Sequence, residues 1–157
     1  MVGAMDKPTS DSFMAQALDE ARAAASRGEG PVGAVVVEAA TGRILARAGN
    51  ETEAAHDPTA HAEILALRRA AQIRGEPRLP DCDLYVTLEP CAMCAAAISH
   101  ARIRRLYFGA YDPKGGGVEH GPRFFAQPTC HHAPEVIGGL DETAAAALLK
   151  DFFKERR

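Results

Sequence analysis

The chain has 157 residues, 46% of them hydrophobic and 25% charged, with a net charge of −3. Those proportions suit one soluble domain spanning 1–157 with a real core, and they leave little room for a second. No apolar run approaches the roughly 20 residues needed to cross a bilayer, and Met1 to Ser10 lacks the apolar block of a secretory signal. Four cysteines are too few for a disulfide scaffold. A cytoplasmic protein with no membrane partner is therefore expected. A pI near 6.1 speaks against a broadly basic nucleic-acid surface, so any RNA contact has to use a local patch.

Residues 1–10 mix Pro, charge and small side chains and read as a flexible extension. Asp11 to Arg27 then predicts an amphipathic helix, with Phe13, Ala17, Leu18, Ala21 and Ala25 near one face. Gly28 to Pro31 breaks it. Val32 to Glu38 and Arg43 to Gly49 read as two antiparallel strands joined by a turn at Thr41-Gly42. Asp57-Pro58-Thr59 signals a helix start, with Thr59 as N-cap and Ile64, Leu65 and Leu67 on the buried side of a helix reaching about Arg74. Asp83 to Leu88 predicts a strand. Pro90 suits the first turn of a helix from Cys91 to His100, because its missing N–H costs nothing there. Arg104 to Gly109 is a further strand, and a Gly/Pro-rich loop runs from Tyr111 to Pro122. A short strand at Glu135 to Ile137 and a last helix capped by Asp141 complete the chain. The last helix carries Leu148, Leu149, Phe152 and Phe153 as its apolar side. Strands alternating with helices predict an α/β fold, a three-layer α/β/α sandwich.

Two clusters carry the chemistry. His61-Ala62-Glu63 and Pro90-Cys91-Ala92-Met93-Cys94 each fall at an expected helix N-terminus. Together they offer one imidazole and two thiols, the three protein ligands of a catalytic zinc site that keeps its fourth position for water. Helix N-termini favour the thiolates that metal binding needs. Glu63, two residues from the imidazole, is placed to shuttle protons without coordinating the metal. His-x-Glu with Pro-Cys-x-x-Cys is the signature of zinc nucleobase deaminases, so this is a match to a known pattern. A lone Cys-x-x-Cys also occurs as a redox pair or as half of a zinc ribbon, but no second Cys-x-x-Cys exists here.

Three stretches, Pro31-Val32-Gly33-Ala34-Val35, Asp57 to Ile64 and Leu84 to Ala95, resemble the bacterial tRNA-specific adenosine deaminases of the cytidine deaminase superfamily. The resemblance runs from about Phe13 to the C-terminus. It implies a mixed five-stranded sheet, one zinc ion per chain on His61, Cys91 and Cys94, and Glu63 as proton shuttle. It further implies conversion of the wobble adenosine in a tRNA anticodon stem-loop to inosine by a homodimer. Asn50 matches the asparagine that reads the purine, Val32 lies in the matching substrate-binding motif, and Asp112 matches an acidic residue of the substrate loop. Phe153, Lys154 and Arg156 match an aromatic-basic C-terminal helix. Two departures lie near the expected substrate mouth. Gly30 stands where many members carry Val or Ile, and Lys114 to Gly121 reads Lys-Gly-Gly-Gly-Val-Glu-His-Gly in place of a shorter loop.

The motif does not separate a tRNA deaminase from a deaminase of free guanine, adenine or cytosine. A non-catalytic zinc subunit is the reading from another class, and Glu63 argues against it. Elsewhere the ordinary meanings prevail. Asn50 by itself is turn chemistry, and Arg102, Arg104 and Arg105 read as a solvated face more readily than as a phosphate contact. Cys130-His131-His132 lacks a matching cluster for a second metal. Phe152 and Phe153 point about 100° apart on a helix, so one of them is expected to remain exposed.

Overall fold

The computed structural model describes the backbone of residues 9–155 and the side chains of residues 13–155. The expected extension therefore lies largely outside the described residues, and its last two members, Thr9 and Ser10, belong to the first helix. In chain order the elements are α1 (Thr9–Ser26), β1 (Gly33–Glu38), β2 (Arg43–Gly49), α2 (Ala62–Arg74), β3 (Cys82–Leu88), α3 (Ala92–His100), β4 (Arg105–Ala110), a 3-10 turn (Phe124–Ala126), β5 (Glu135–Ile137) and α4 (Glu142–Glu155). Among the described residues no helix is long and apolar enough to cross a membrane.

The sheet has the order β2-β1-β3-β4-β5. β1 is antiparallel to both neighbours, while β3, β4 and β5 run parallel. Side chains alternate between the two faces with the period of two that a strand imposes. Ala34 and Val36 of β1, Leu84 and Val86 of β3, and Leu106 and Phe108 of β4 join one core with Leu65 and Leu67 of α2 and Ile98 of α3. Val35, Val37, Tyr85 and Ala110 turn the other way, onto Met14, Ala17 and Leu18 of α1 and Ala145 of α4. The result is the expected three-layer α/β/α sandwich. On α1 the buried stripe is Met14, Ala17, Leu18, Ala21 and Ala24, so Ala24 takes the place expected for Ala25.

Pairing brings the chemistry to one end of the sheet. Gly33 opposes Gly49, and Ala34 opposes Val86, so the start of β1 lies beside the ends of β2 and β3. The end of β4 lies beside the end of β3, with Leu88 opposite Ala110. Residues leaving β2, β3 and β4 therefore emerge together, where open α/β sheets place their ligands. Gly33 is required here because α1 crosses closely: a Cβ would stand 2.6 Å from the Ala21 amide nitrogen.

Candidate active site

The segment after β2 leads through a long turn into α2, and the start of that helix differs from the expected one. His61, not Thr59, is the N-cap residue, with an extended backbone and no side-chain capping bond. Thr59 instead closes a turn, its amide and hydroxyl donating to Asp57 Oδ1 at 2.9 and 2.8 Å. The cap comes from another strand. The Ala62 amide donates to Asn50 Oδ1 at 2.8 Å, which satisfies a first-turn donor that the local sequence leaves open. The imidazole of His61 is thereby left for other use. Cys91 stands at the same place on α3, again an extended N-cap with no side-chain capping bond.

The two helix starts meet. Cys91 Sγ lies 3.7 Å and Cys94 Sγ 3.5 Å from His61 Nδ1, and the three ligand atoms fall within 4.8 Å of one another. With zinc–sulfur bonds of about 2.3 Å and zinc–nitrogen bonds of about 2.0–2.1 Å, a tetrahedron has nitrogen–sulfur edges of about 3.6 Å. The donors are thus spaced for a tetrahedral zinc ion, and their chemistry suits it.

Protonation agrees. The Cys94 thiol donates to Cys91 and, with the His61 ring, holds Cys91 down to about 4 against the opposing effect of burial. Cys94 is pushed strongly upward by that same bond and by burial, and His61 is raised by its bond to Cys91. Metal binding requires both sulfurs as thiolates, and a divalent cation would draw off their protons. Glu63, in the first turn of α2, is 4% exposed. Burial raises its carboxyl to about 7, opposed by a bond from its own amide, by the neighbouring His61 ring and by a bond from the Cys94 thiol.

A cavity of about 230 Å³ opens over these groups, lined by Val32, Asn50, His61, Glu63, Cys91 and Asp112 among others. An outer cavity of about 360 Å³ shares Val32, Asn50, Leu88 and Asp112 with it and adds Gly30, Tyr111, Leu149 and Phe153. The structure therefore brings together all three thiol and imidazole donors, Glu63, Asn50, Val32, Asp112 and Phe153. Lys154 is exposed on α4 and does not line either cavity, and Arg156 lies outside the described residues. Phe152 is 9% exposed and Phe153 58%, as helix geometry requires of neighbours.

Other expectations resolve as structural contacts. Arg104 makes a two-pronged pair with Asp83 at 3.0 and 2.8 Å, Arg105 pairs with Glu135 at 2.6 Å, and Arg102 donates to the Ser99 carbonyl at 2.9 Å. The basic run is thus occupied within the protein. His132 Nε2 meets the Ile103 carbonyl at 2.7 Å, and Cys130 Sγ lies 3.2 Å from the His132 carbonyl. Among the described residues, the sole metal-ligand cluster is His61, Cys91 and Cys94.

Sequence reasoning missed two buried carboxylates beside the site. Glu29, 1% exposed, accepts the amides of Glu53 and Ala54 at 3.1 and 2.9 Å and holds the turn that follows Asn50. Glu89, 2% exposed, accepts amides from the loop after β4. The available signal was a carboxylate between the apolar end of a strand and Pro90.

Residues 7–110 match the sequence model of the cytidine and deoxycytidylate deaminase zinc-binding region, so fold and triad are those of the zinc deaminase class. A tRNA-specific adenosine deaminase from Agrobacterium fabrum is 61% identical over 92% of this chain and 94% of its own. A solved structure from work on A-to-I editing by tRNA:A34 deaminases at the wobble position of transfer RNA superposes with a TM-score of 0.86. It is 62% identical, covering 88% of this chain and 99% of that one. A guanine deaminase from Nitrosomonas europaea has a TM-score of 0.80 at 26% identity, over 90% of this chain and 83% of that one. The chain belongs to the cytidine deaminase superfamily, in the branch of the tRNA-specific adenosine deaminases.

Proposed function

We propose that this chain is a zinc-dependent hydrolase that converts the wobble adenosine of a tRNA anticodon to inosine with release of ammonia. The observation that carries the chemistry is the tetrahedral spacing of His61, Cys91 and Cys94 beside the buried carboxyl of Glu63. His61 Nδ1 and the two sulfurs hold one zinc ion. When bound, zinc lowers the pKa of water to about 7 and so supplies a hydroxide nucleophile at neutral pH. Glu63 takes up the two protons of the attacking water in turn, passing the first to the purine ring nitrogen and the second to the leaving ammonia, for which a carboxyl near 7 is suited in both directions. Asn50 Oδ1 is fixed by the Ala62 amide, which leaves its Nδ2 to donate to the purine. Val32 and Asp112 wall the base.

The polymer substrate is supported by the 61% identical relative and by the outer cavity. An enzyme acting on a splayed-out base has to hold the neighbouring nucleotides as well. Phe153 is exposed at that cavity for stacking, and Lys154 and Arg156 follow for phosphates. The chain acts as a single deaminase domain in the cytosol, where tRNA is found. It works as a homodimer, which the apolar groove between α2 and α3 supports through Ile64, Leu67, Ala71 and Ala97.

The deciding experiment gives the purified protein a tRNA with an anticodon-first adenosine and, separately, free guanine, adenine and cytosine. Inosine in the tRNA and ammonia are expected, with one zinc per chain by elemental analysis and loss of activity on chelation. Turnover of free guanine with none of tRNA would replace this substrate by a free base.

A further inference from the structure

Glu89 ends the segment that leads from β3 into Pro90 and α3, and it is 2% exposed. A buried carboxylate is costly unless hydrogen bonds fill its lone pairs. Here a single loop fills them. Oε1 accepts the Asp112 amide at 3.0 Å and meets His120 Nδ1 at 2.8 Å. Oε2 accepts the amides of Val118, Glu119 and His120 at 3.2, 2.8 and 3.1 Å. The loop lies so close that a Cβ on Gly116 would collide with Glu89 Oε2, and one on Gly117 would stand 2.5 Å from the Ala92 amide nitrogen. The unusual glycine run of this chain is what that approach demands. Asp112 and Gly115, within the same loop, line the inner cavity together with Glu89.

We infer that Glu89 is a positioning residue for substrate binding: its carboxylate holds the 112–120 loop in the shape that presents Asp112 and the cavity wall to the base and its neighbours. The inference rests on the RNA deaminase reading above. It differs from a purely structural role, in which Glu89 would serve the stability of α3 or retention of the metal.

Glu89→Gln separates the two with almost no change of volume. A carboxamide accepts at one end only, and its NH2 opposes the N–H groups at the other. Either the Asp112 amide or the three amides of residues 118–120 then lose their acceptor. Gly116→Ala disturbs the same contact from the loop side and leaves Glu89 in place. Both variants and the parent are to be measured for zinc content, for hydrogen exchange of the Val118, Glu119 and His120 amides, and for steady-state kinetics. The substrate is an anticodon stem-loop RNA with an anticodon-first adenosine.

The expected result is unchanged zinc and faster exchange of the loop amides. KM should rise by about tenfold, the scale of one buried donor left without its partner, while kcat stays within about threefold. The double variant should be little worse than either single one, because both act on one contact. Loss of zinc in Glu89→Gln, or unchanged KM and loop exchange in both variants, overturns the inference. If the parent leaves the RNA untouched, the substrate reading fails, and the same comparison on free guanine, with loop exchange, decides the role of Glu89.

Discussion

Glu63 and Glu89 are both carboxylates sealed from solvent, 4% and 2% exposed, within one catalytic pocket. Their surroundings drive them in opposite directions. Burial raises Glu63 to about 7 against the opposing effects of its own amide, the His61 ring and the Cys94 thiol. Burial works the same way on Glu89, but the amides of Asp112, Glu119 and Val118 and the His120 ring outweigh it and hold the carboxyl below its ordinary value. Burial alone therefore does not decide what a carboxylate does; the supply of N–H donors does. A group with few donors near neutral pKa can exchange protons, whereas one saturated with donors stays ionised and holds a shape.

The contrast is broken most directly at Glu63. Glu63→Gln should keep the fold and the zinc and lose about 10²–10⁴-fold in kcat, the usual weight of a general acid–base group. Ammonia release and metal content check it. Turnover near the parent rate would mean that Glu63, like Glu89, only holds a shape.

The division between groups that hold and groups that reach out extends to α4. Phe152 is 9% exposed and packs inward, so Phe152→Ala should cost about 3 kcal/mol of stability in denaturant unfolding, the low end for a buried Phe. Phe153 is 58% exposed, and Phe153→Ala should shift stability by about 0.5 kcal/mol or less while raising KM for RNA. Equal losses of stability in the two variants would remove Phe153 from the substrate mouth.

The smallest effect concerns carboxylates far from the site. Arg74 Nη2 lies 2.7 Å from both Glu38 Oε2 and Asp81 Oδ2, tying the end of α2 to β1 and to the turn before β3. Glu38 is lowered by its bonds to Thr41 and Arg74, and Asp81 by its bond to Arg74. Lowered folded-state values mean stability that is present at neutral pH and lost as pH falls through them. Arg74→Ala should therefore flatten the fall of stability below about pH 4, near the ordinary range for these groups. Unfolding curves across that range check it, and an unchanged slope would show that these pairs contribute nothing.

Much of the fold was legible because its signals are local. A β-rich run marked β1, Pro90 marked the start of α3 within a residue or so, and Asp57-Pro58-Thr59 announced α2 a few residues early. The placement of the N-cap at Thr59 failed because a stronger partner, Asn50, reaches the Ala62 amide from the end of β2. Arg104 and Arg105 could not be resolved locally either, since their acceptors Asp83 and Glu135 lie 21 and 30 residues away.

The sequence by itself determined the order of elements and the three metal donors, and it singled out Glu63 as the carboxylate two residues from one of them. Within each of the two clusters a spacing of two or three residues at the start of a helix sets the groups side by side, whereas the meeting of His61 with Cys91 and Cys94, 30 and 33 residues away, is the work of the fold. Only the tertiary structure decided that Asn50 caps α2, that Glu89 gathers the loop after β4, and that Phe153 and not Phe152 faces the cavity. Those outcomes depend on which distant donor reaches which acceptor, and on which face of α4 the sheet covers. A short polar or aromatic stretch has many such partners open to it until the strands pair.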